Sequence, residues 1–153
     1  MEPLSREEAL KVLENAPVAH LGLIDGGVPY VTPMSFVVEG ERIFFRTMAG
    51  KKLDALRENP TVCIEASRYD EETGDWESVI IRGEASETDE DVIRQDVIAG
   101  LLRKYENVIG SPLGGRGMRP LQGLPHVVVV DIEEISGMTS GRGWSERTRP
   151  GRL

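Results

Sequence analysis

The residues best suited to chemistry lie around one bend in the segment RIFFRTMAGKKLDALRENP, residues 42–60. Arg46 and Thr47 close an apolar run, and Lys51 and Lys52 open a helical pattern shortly afterwards. Phosphate binding needs donors that converge from backbone amides, hydroxyl groups and fixed positive charges. The free N–H groups and the dipole of a helix N-terminus also favour an anion. The bend therefore predicts a phosphate site, and a solvated surface patch is the alternative, because short basic clusters are common.

Length, charge and cysteine content narrow the classes of protein. The 153 residues are enough for one domain with a full core. The net charge of −8 argues against nucleic-acid binding, which requires a basic face. Cys63, the single cysteine, excludes an internal disulfide framework, and its apolar neighbours predict a core position. The first residues have no signal-like pattern and no stretch is apolar enough to span a membrane, so we expect a cytoplasmic protein.

The changing periodicity of apolar residues predicts a small antiparallel β-barrel of the α+β class. A capping box at Ser5–Glu8 opens the first helix, and the Asp25–Gly27 turn joins two strands as a hairpin. Pro29 and Pro33 cannot donate ladder hydrogen bonds, so the second strand of that hairpin should lie at a sheet edge or be interrupted where something other than a strand faces it. The predicted helices cover residues 6–15, 51–58 and 89–106. The predicted strands cover residues 18–24, 28–38, 42–47, 61–66, 76–85 and 127–132, and a long loop is predicted over 111–125.

Three segments, in this order, resemble the FMN-binding split barrel of the pyridoxamine 5′-phosphate oxidase-like superfamily, nearest the branch of nitroimidazole-resistance reductases. They are PYVTPMSF at 29–36, GKKL at 50–53 running on to Asn59-Pro60, and WESVIIRG at 76–83. The resemblance extends over residues 5–135. It implies a six-stranded antiparallel split β-barrel with flanking helices, an FMN-binding domain over 1–137 and a basic C-terminal tail over 138–153.

The resemblance also implies a set of FMN contacts. The isoalloxazine ring would contact Thr32, Pro33, Met34 and Ser35. The ribityl phosphate would contact Arg46, Thr47, Lys51 and Lys52. Ser78 would reach the flavin of the other subunit. The last contact requires a homodimer with the cofactor at the subunit interface. No catalytic side chain is assigned, and no metal site is predicted, because His20, His126 and Cys63 show no metal-ligand spacing.

By the same resemblance, the expected function is a flavin (FMN)-dependent oxidoreductase acting on an unknown small molecule, with the chemistry supplied by the cofactor. A deazaflavin coenzyme or haem is the alternative cofactor, since related split barrels bind these groups. A non-catalytic flavin or haem carrier or sensor is the alternative function. The C-terminal segment lacks the arginine–histidine motif of the true oxidases, so pyridoxamine-phosphate oxidation is not expected. Arg46 stands where nitroimidazole-resistance reductases tend to have histidine, which argues against nitroimidazole reduction.

The basic tail, residues 138–153, carries four arginines and one glutamate. Its composition favours a loosely held, disordered end. Trp144 is costly to leave in water, however, and in similar split barrels the C-terminal segment can pass near the flavin pocket. The alternative is that Trp144 and Arg142 close over the bound cofactor.

Overall fold

The computed structural model describes residues 1–106 and 125–141, which form an antiparallel β-sheet with helices packed against it. The elements are α1 (Arg6–Asn15), α2 (Lys51–Glu58) and α3 (Asp91–Tyr105), with β1 (Glu2–Pro3), β2 (Ala19–Asp25), β3 (Val28–Met34), β4 (Val37–Glu39), β5 (Arg42–Thr47), β6 (Thr61–Tyr69), β7 (Trp76–Thr88) and β8 (His126–Thr139). The predicted α+β class is confirmed, although the described residues contain eight strands instead of six. The two added strands are β1, which has two residues, and β4, which is separate from β3. No helix within these ranges has the length and apolar character that a membrane span requires.

The first helix and the first hairpin lie where their local signals predict them. The Ser5 hydroxyl accepts from Glu8 N–H at 3.2 Å and the Glu8 carboxylate accepts from Ser5 N–H at 2.7 Å, so the capping box opens α1. Gly26 and Gly27 join β2 to β3 with φ angles of 57° and 81°, which a two-residue hairpin turn of this type requires.

Strand β3 occupies one end of the sheet, whose order is β3-β2-β6-β7-β8-β5-β4 with β1 beside β8. Its only strand partner in the described residues is β2. This confirms the edge position predicted from Pro29 and Pro33, since a proline in a central strand would remove a ladder hydrogen bond. The barrel is therefore split between its two terminal strands, β3 and β4.

The strand predicted over 28–38 is not continuous, because the chain breaks at Ser35 and Phe36. Residues 28–34 pair with β2 as β3, whereas residues 37–39 pair with β5 as β4. The Phe36 side chain is fully buried, and its N–H donates to the hydroxyl oxygen of Tyr105 in α3 at 3.2 Å. The apolar pattern does not show this break, because it depends on a hydrogen bond to a residue 69 positions away.

Two apolar clusters hold the elements together. The larger cluster lies on the inner face of the sheet and includes side chains from α1 and α2. Its fully buried members include Leu13, Leu21, Ile64 and Ile81. The smaller cluster joins α3 to β5 and β8, and its members are Phe44, Val97, Leu101, Tyr105, Val127 and Val129. The α3 members recur every four residues and so lie on one stripe of the helix.

The opposite face of the sheet, which we call the outer face, is covered by α3 at β5 and β8 and largely exposed over β3, β2, β6 and β7. Two of its rows cross the strands β3, β2, β6 and β7: Val31, Gly22, Cys63 and Arg82, and then Pro33, His20, Glu65 and Ile80. The core position predicted for Cys63 is wrong, since its thiol is exposed on this face. Val62 and Ile64 take the buried positions of β6, and strict alternation sends Cys63 outward.

Strand β8 continues through Thr139 instead of ending at residue 132. Met138 and Thr139, the first two residues of the predicted tail, pair with Ser78 and Glu77 of β7. The tail from residue 142, including Trp144, lies outside the described residues, as does most of the predicted loop over 111–125.

Gly83 lies at an irregularity of β7, where the register with β8 shifts between Arg82 and Gly83. A Cβ atom at Gly83 would overlap the carbonyl oxygen of Asp131. We therefore expect Gly83→Ala to lower the free energy of unfolding by about 1–3 kcal/mol, the usual range for overpacking. Gly100→Ala in α3 is the matched control, because its Cβ would meet no atom closer than 3.6 Å and alanine favours a helix. Urea denaturation that finds both variants equally stable would contradict this close approach of β7 to β8.

Candidate functional site

In the described pairing, β3 has no partner on the side where the short strand β4 ends and β5 continues, and we call this gap between β3 and the end of β5 the split. Strand β4 pairs with β5 only as far as Val37 opposite Phe44. On one side of that pair, Ser35 and Phe36 connect Val37 to β3. On the other side, β5 continues from Phe44 to Arg46 and Thr47. Strand β5 pairs with β8 here, so its other edge and the outer edge of β3 have no strand partner in the described pairing. Two segments that are remote in sequence thus border the same opening.

The segment assigned to the flavin ring, Thr32–Ser35, forms the end of β3 and the residue after it. The side chains of Thr32 and Met34 lie on the inner face, where Met34 is 8% exposed. Pro33, between them, lies on the outer face. The side chains of a strand stand above and below its plane, so neither set fills the strand's edge. Because alternate residues direct their backbone groups to β2 and Pro33 has no N–H, the segment presents the Pro33 carbonyl group and the Ser35 backbone to the split.

Arg46 and Thr47 are half-buried at the end of β5. Because strand side chains alternate, Thr47 shares the face of the core residue Phe45, while Arg46 shares the face of Phe44, against which α3 packs. Burial lowers the pKa of the Arg46 guanidinium, which nevertheless stays charged at physiological pH. The structure thus brings both residues to the end of the split, on opposite sides of β5.

The bend between β5 and α2, which we call the anion corner, follows directly. Gly50 is the N-cap residue of α2, and no side chain caps the helix there. The first helical hydrogen bond runs from Asp54 N–H to the Gly50 carbonyl oxygen at 3.0 Å, so the N–H groups of Lys51, Lys52 and Leu53 precede the helical ladder. Amides in this position, together with the helix dipole, favour an anion.

The two lysines of the anion corner differ in their surroundings. The Lys51 ammonium lies 2.9 Å from Oδ2 of Asp25, at the end of β2, and this hydrogen bond raises the pKa of Lys51. Lys52 is half-buried, has no ion-pair partner among residues 1–106 and 125–141, and desolvation lowers its pKa. A cation removed from water without a counter-charge gains most from an incoming anion. Lys52 is therefore the stronger anion ligand of the two.

Ser78 lies away from the other predicted site residues. It belongs to the outer face of β7, opposite Ser67 of β6 and Met138 of β8. Strands β2 and β6 separate β7 from β3. Three interstrand steps of about 4.8 Å place Ser78 about 14 Å or more from Pro33. The chain therefore does not bring its own Ser78 to the split.

Sequence reasoning missed three residues here: Asp25, which pairs with Lys51, and Lys104 and Tyr105, which contact Phe36 beside the ring segment. The sequence indicates Asp25 only as a turn residue. Tyr105 continues the apolar stripe of α3, and a tyrosine buried there needs a hydrogen-bond partner, which is a signal that could have indicated it. No sequence signal indicated Lys104.

The described residues form an antiparallel barrel that is open beside the basic N-terminus of α2, and this architecture places the chain in the class of split-barrel proteins. Residues 5–139 match the family model described as pyridoxamine 5′-phosphate oxidase, and the chain belongs to that family. The resemblance found in the sequence segments is thereby confirmed.

Individual relatives agree with this assignment. The chain is 30% identical over 84 residues to the uncharacterized protein RA0666 of Rhizobium meliloti (strain 1021), and the match covers 55% of each chain, about half the length of that relative. The fold is similar to that of a FAD-binding protein from Mesorhizobium loti, with a TM-score of 0.74 and 22% identity over 92% of this chain and 98% of the other. It is also similar to a candidate 5-nitroimidazole antibiotic resistance protein from Bacteroides thetaiotaomicron, with a TM-score of 0.70 and 18% identity over 90% and 87% of the two chains.

The uncompensated charge of Lys52 has a measurable consequence for stability. We expect Lys52→Met to raise the free energy of unfolding of the ligand-free protein at pH 7, because it removes a desolvated ammonium that has no counter-charge. The folded-state pKa of Lys52 lies below its ordinary value of 10.5, so the wild type should gain stability as the pH rises through the window between the two pKa values. That gain should be smaller in the variant.

The measurement is urea denaturation in phosphate-free buffer over a pH series. Lys51→Met is the control, because it removes an exposed ammonium that already has Asp25 as a partner, and it should not raise stability. A Lys52→Met protein less stable than the wild type would show that the ammonium is compensated.

Proposed function

We propose that this protein is a flavin-dependent oxidoreductase that binds FMN in the split and acts on a small molecule. One observation carries the proposal. At the end of the split, the half-buried Lys52 ammonium has no counter-charge in the described residues and stands at the uncapped start of α2. A phosphate monoester, with which FMN ends, supplies both the negative charge and the acceptors that this corner lacks.

The remainder of the split suits a flat ring with polar groups along its edge. Alternate residues of β3 direct their backbone groups to β2, so within Thr32–Ser35 the Pro33 carbonyl group and the Ser35 backbone are the groups without a strand partner in the described pairing. Backbone polar groups need partners, and an isoalloxazine ring carries complementary groups along one side. The ring would thus take the place of the strand that is absent beside β3. The Mesorhizobium loti protein with the same fold is described as FAD-binding, which supports a flavin as the class of cofactor.

Each part of the site would have a separate task. The bound flavin would supply electron or hydride transfer. Lys52 and the first N–H groups of α2 would fix the phosphate, while the β3 edge would fix the plane of the ring. Met34, which is 8% exposed, would close the inner side of the split to water. Arg46 would add positive charge on the α3 side of β5.

The proposal includes a homodimer formed through the outer face. Val31 and Ile80 are 65% and 53% exposed there, with the His20–Glu65 pair on the two strands between them, and a second copy would remove these apolar side chains from water. Ser78 belongs to the same face. A second copy docked on the outer face would bring Ser78 to the partner's split, which accounts for its distance from the split of its own protomer.

The test of this function is the absorbance spectrum of the purified protein after incubation with FMN, before and after anaerobic addition of NADH or NADPH. We expect a bound flavin band that the nicotinamide nucleotide bleaches faster than it bleaches free FMN. Mass spectrometry of the released cofactor distinguishes FMN from FAD and from a deazaflavin coenzyme. A haem band would overturn the assignment of FMN as the cofactor. A bound flavin that the nicotinamide nucleotide never reduces would favour a carrier or sensor.

The two lysines should contribute unequally to FMN affinity. We expect Lys52→Glu to weaken FMN binding by about a hundredfold, because repulsion replaces a charge-assisted hydrogen bond. Lys51→Glu should weaken it less, since Asp25 already pairs with Lys51. Lys11→Glu changes the net charge equally on the exposed surface of α1 and is the control. Calorimetric titration that finds unchanged affinity in the Lys51→Glu, Lys52→Glu double variant would remove the anion corner from the site.

Dimerisation has its own test on the outer face. We expect Ile80→Asp to produce a monomer at micromolar concentration, because it replaces an exposed apolar side chain that a second copy would cover with a charge. Val92→Asp is the control, since Val92 is 70% exposed but lies on α3. Sedimentation velocity measures both. A monomeric wild type, or a dimer that Ile80→Asp leaves intact, would contradict the outer-face interface.

A further inference from the structure

The hydroxyl group of Tyr105 joins three parts of the chain at the point where β3 ends. It donates to the Pro17 carbonyl oxygen at 2.8 Å and accepts from Phe36 N–H at 3.2 Å. Burial raises the pKa of Tyr105, while hydrogen bonds with the Phe36 backbone and the Ser35 side chain act in the opposite direction. Tyr105 therefore contacts the last residue of the ring segment and the residue that follows it.

Lys104 contacts the same residue from the other side. Its ammonium donates to the Phe36 carbonyl oxygen at 3.0 Å and lies 3.6 Å from the centroid of the Phe36 ring. The two neighbouring side chains of α3 thus take both backbone polar groups of Phe36, groups that a continuous strand would pair with another strand. The break between β3 and β4 is stabilised by these contacts.

The position of this break decides the shape of the split. Val37 pairs with Phe44 of β5. If β3 and β4 formed one regular strand, the Thr32–Ser35 segment would lie next to β5 as well. The Phe36 contacts turn the chain away from β5 one residue after the ring segment. The helix α3 itself packs on β5 and β8 through Phe44, Val127 and Val129. It therefore spans both borders of the split.

We propose that Tyr105 and Lys104 are positioning residues that hold β3 away from β5 at the separation that the flavin ring requires. We call these two side chains the clamp. This inference rests on the proposed function, because it assigns the clamp to the same site. Neither side chain needs to touch the cofactor. They act through Ser35 and Phe36, whose backbone continues directly from the edge that binds the ring.

The pH dependence of Lys104 gives the clamp a signature of its own. Burial lowers the pKa of Lys104 to about 8, against the opposing charge of Glu14 on α1. Glu39, Asp96 and Arg103 line the same groove of about 600 Å³ beside it. Above that pH the amine loses its charge and its attraction to the Phe36 ring. FMN affinity of the wild type should therefore fall through a step near pH 8 that Lys104→Met lacks.

The experiment compares Tyr105→Phe and Lys104→Met with Tyr69→Phe and Lys11→Met, which alter the same residue types at exposed positions. Three quantities are measured: FMN affinity over a pH series, the visible circular dichroism of the bound flavin, and hydrogen exchange of amides 32–37 in the flavin-free protein. We expect each clamp variant to bind FMN about tenfold more weakly, as the loss of one hydrogen bond implies. We also expect an altered flavin spectrum and faster exchange at Phe36, with the controls unchanged.

The outcomes separate the clamp from the proposed function. A wild type that takes up no FMN overturns the function and the assignment of the clamp to a flavin together. If the wild type and both clamp variants bind FMN with the same affinity, spectrum and pH profile, the clamp alone is overturned, even where Tyr105→Phe lowers global stability. Faster exchange confined to residues 32–37, combined with weaker FMN binding, supports it.

Discussion

The free backbone edge of β3 is the constraint on which the rest of the structure depends. Pro29 and Pro33 remove two N–H donors from this strand, so it cannot serve in the middle of a sheet. The sheet must end there, and β4 pairs with β5 instead. Backbone groups at the edge still need partners. Either water or a ligand with matching polar groups can supply them, and this open edge is where the proposed flavin would bind.

Local signals predicted most elements, since each of them acts within a few residues. The Ser5–Glu8 capping box, the Gly26-Gly27 turn and the two prolines of β3 gave the right structure for this reason. The errors share a different cause. The break at Phe36 depends on a hydroxyl group 69 residues away, and the extension of β8 depends on pairing with β7. Alternation predicts which residues of a strand share a face, but not which face meets the core, and Cys63 was misassigned on that account.

The candidate site was predictable to the extent that it follows from residue type. The lysines of the anion corner were evident from charge and from their position before a helix. Their difference was not, because it depends on Asp25, which the hairpin turn brings to Lys51 and not to Lys52. The chain has a net charge of −8, so its long-range field opposes an anionic ligand. A desolvated cation without an internal counter-charge offsets that field locally, and Lys52 meets this condition in the described residues.

The split and the outer face share a strand, and this links the proposed cofactor site to the proposed dimer. Strand β3 has one edge on the split and carries Val31 and Pro33 on the outer face. With a single strand partner, it has fewer backbone hydrogen bonds to order it than a central strand would have. A ring bound at its edge and a second copy packed on its face would order the same residues. Each would then lower the conformational cost of the other, so flavin binding and dimerisation would strengthen one another through a coupling free energy that acts in both directions.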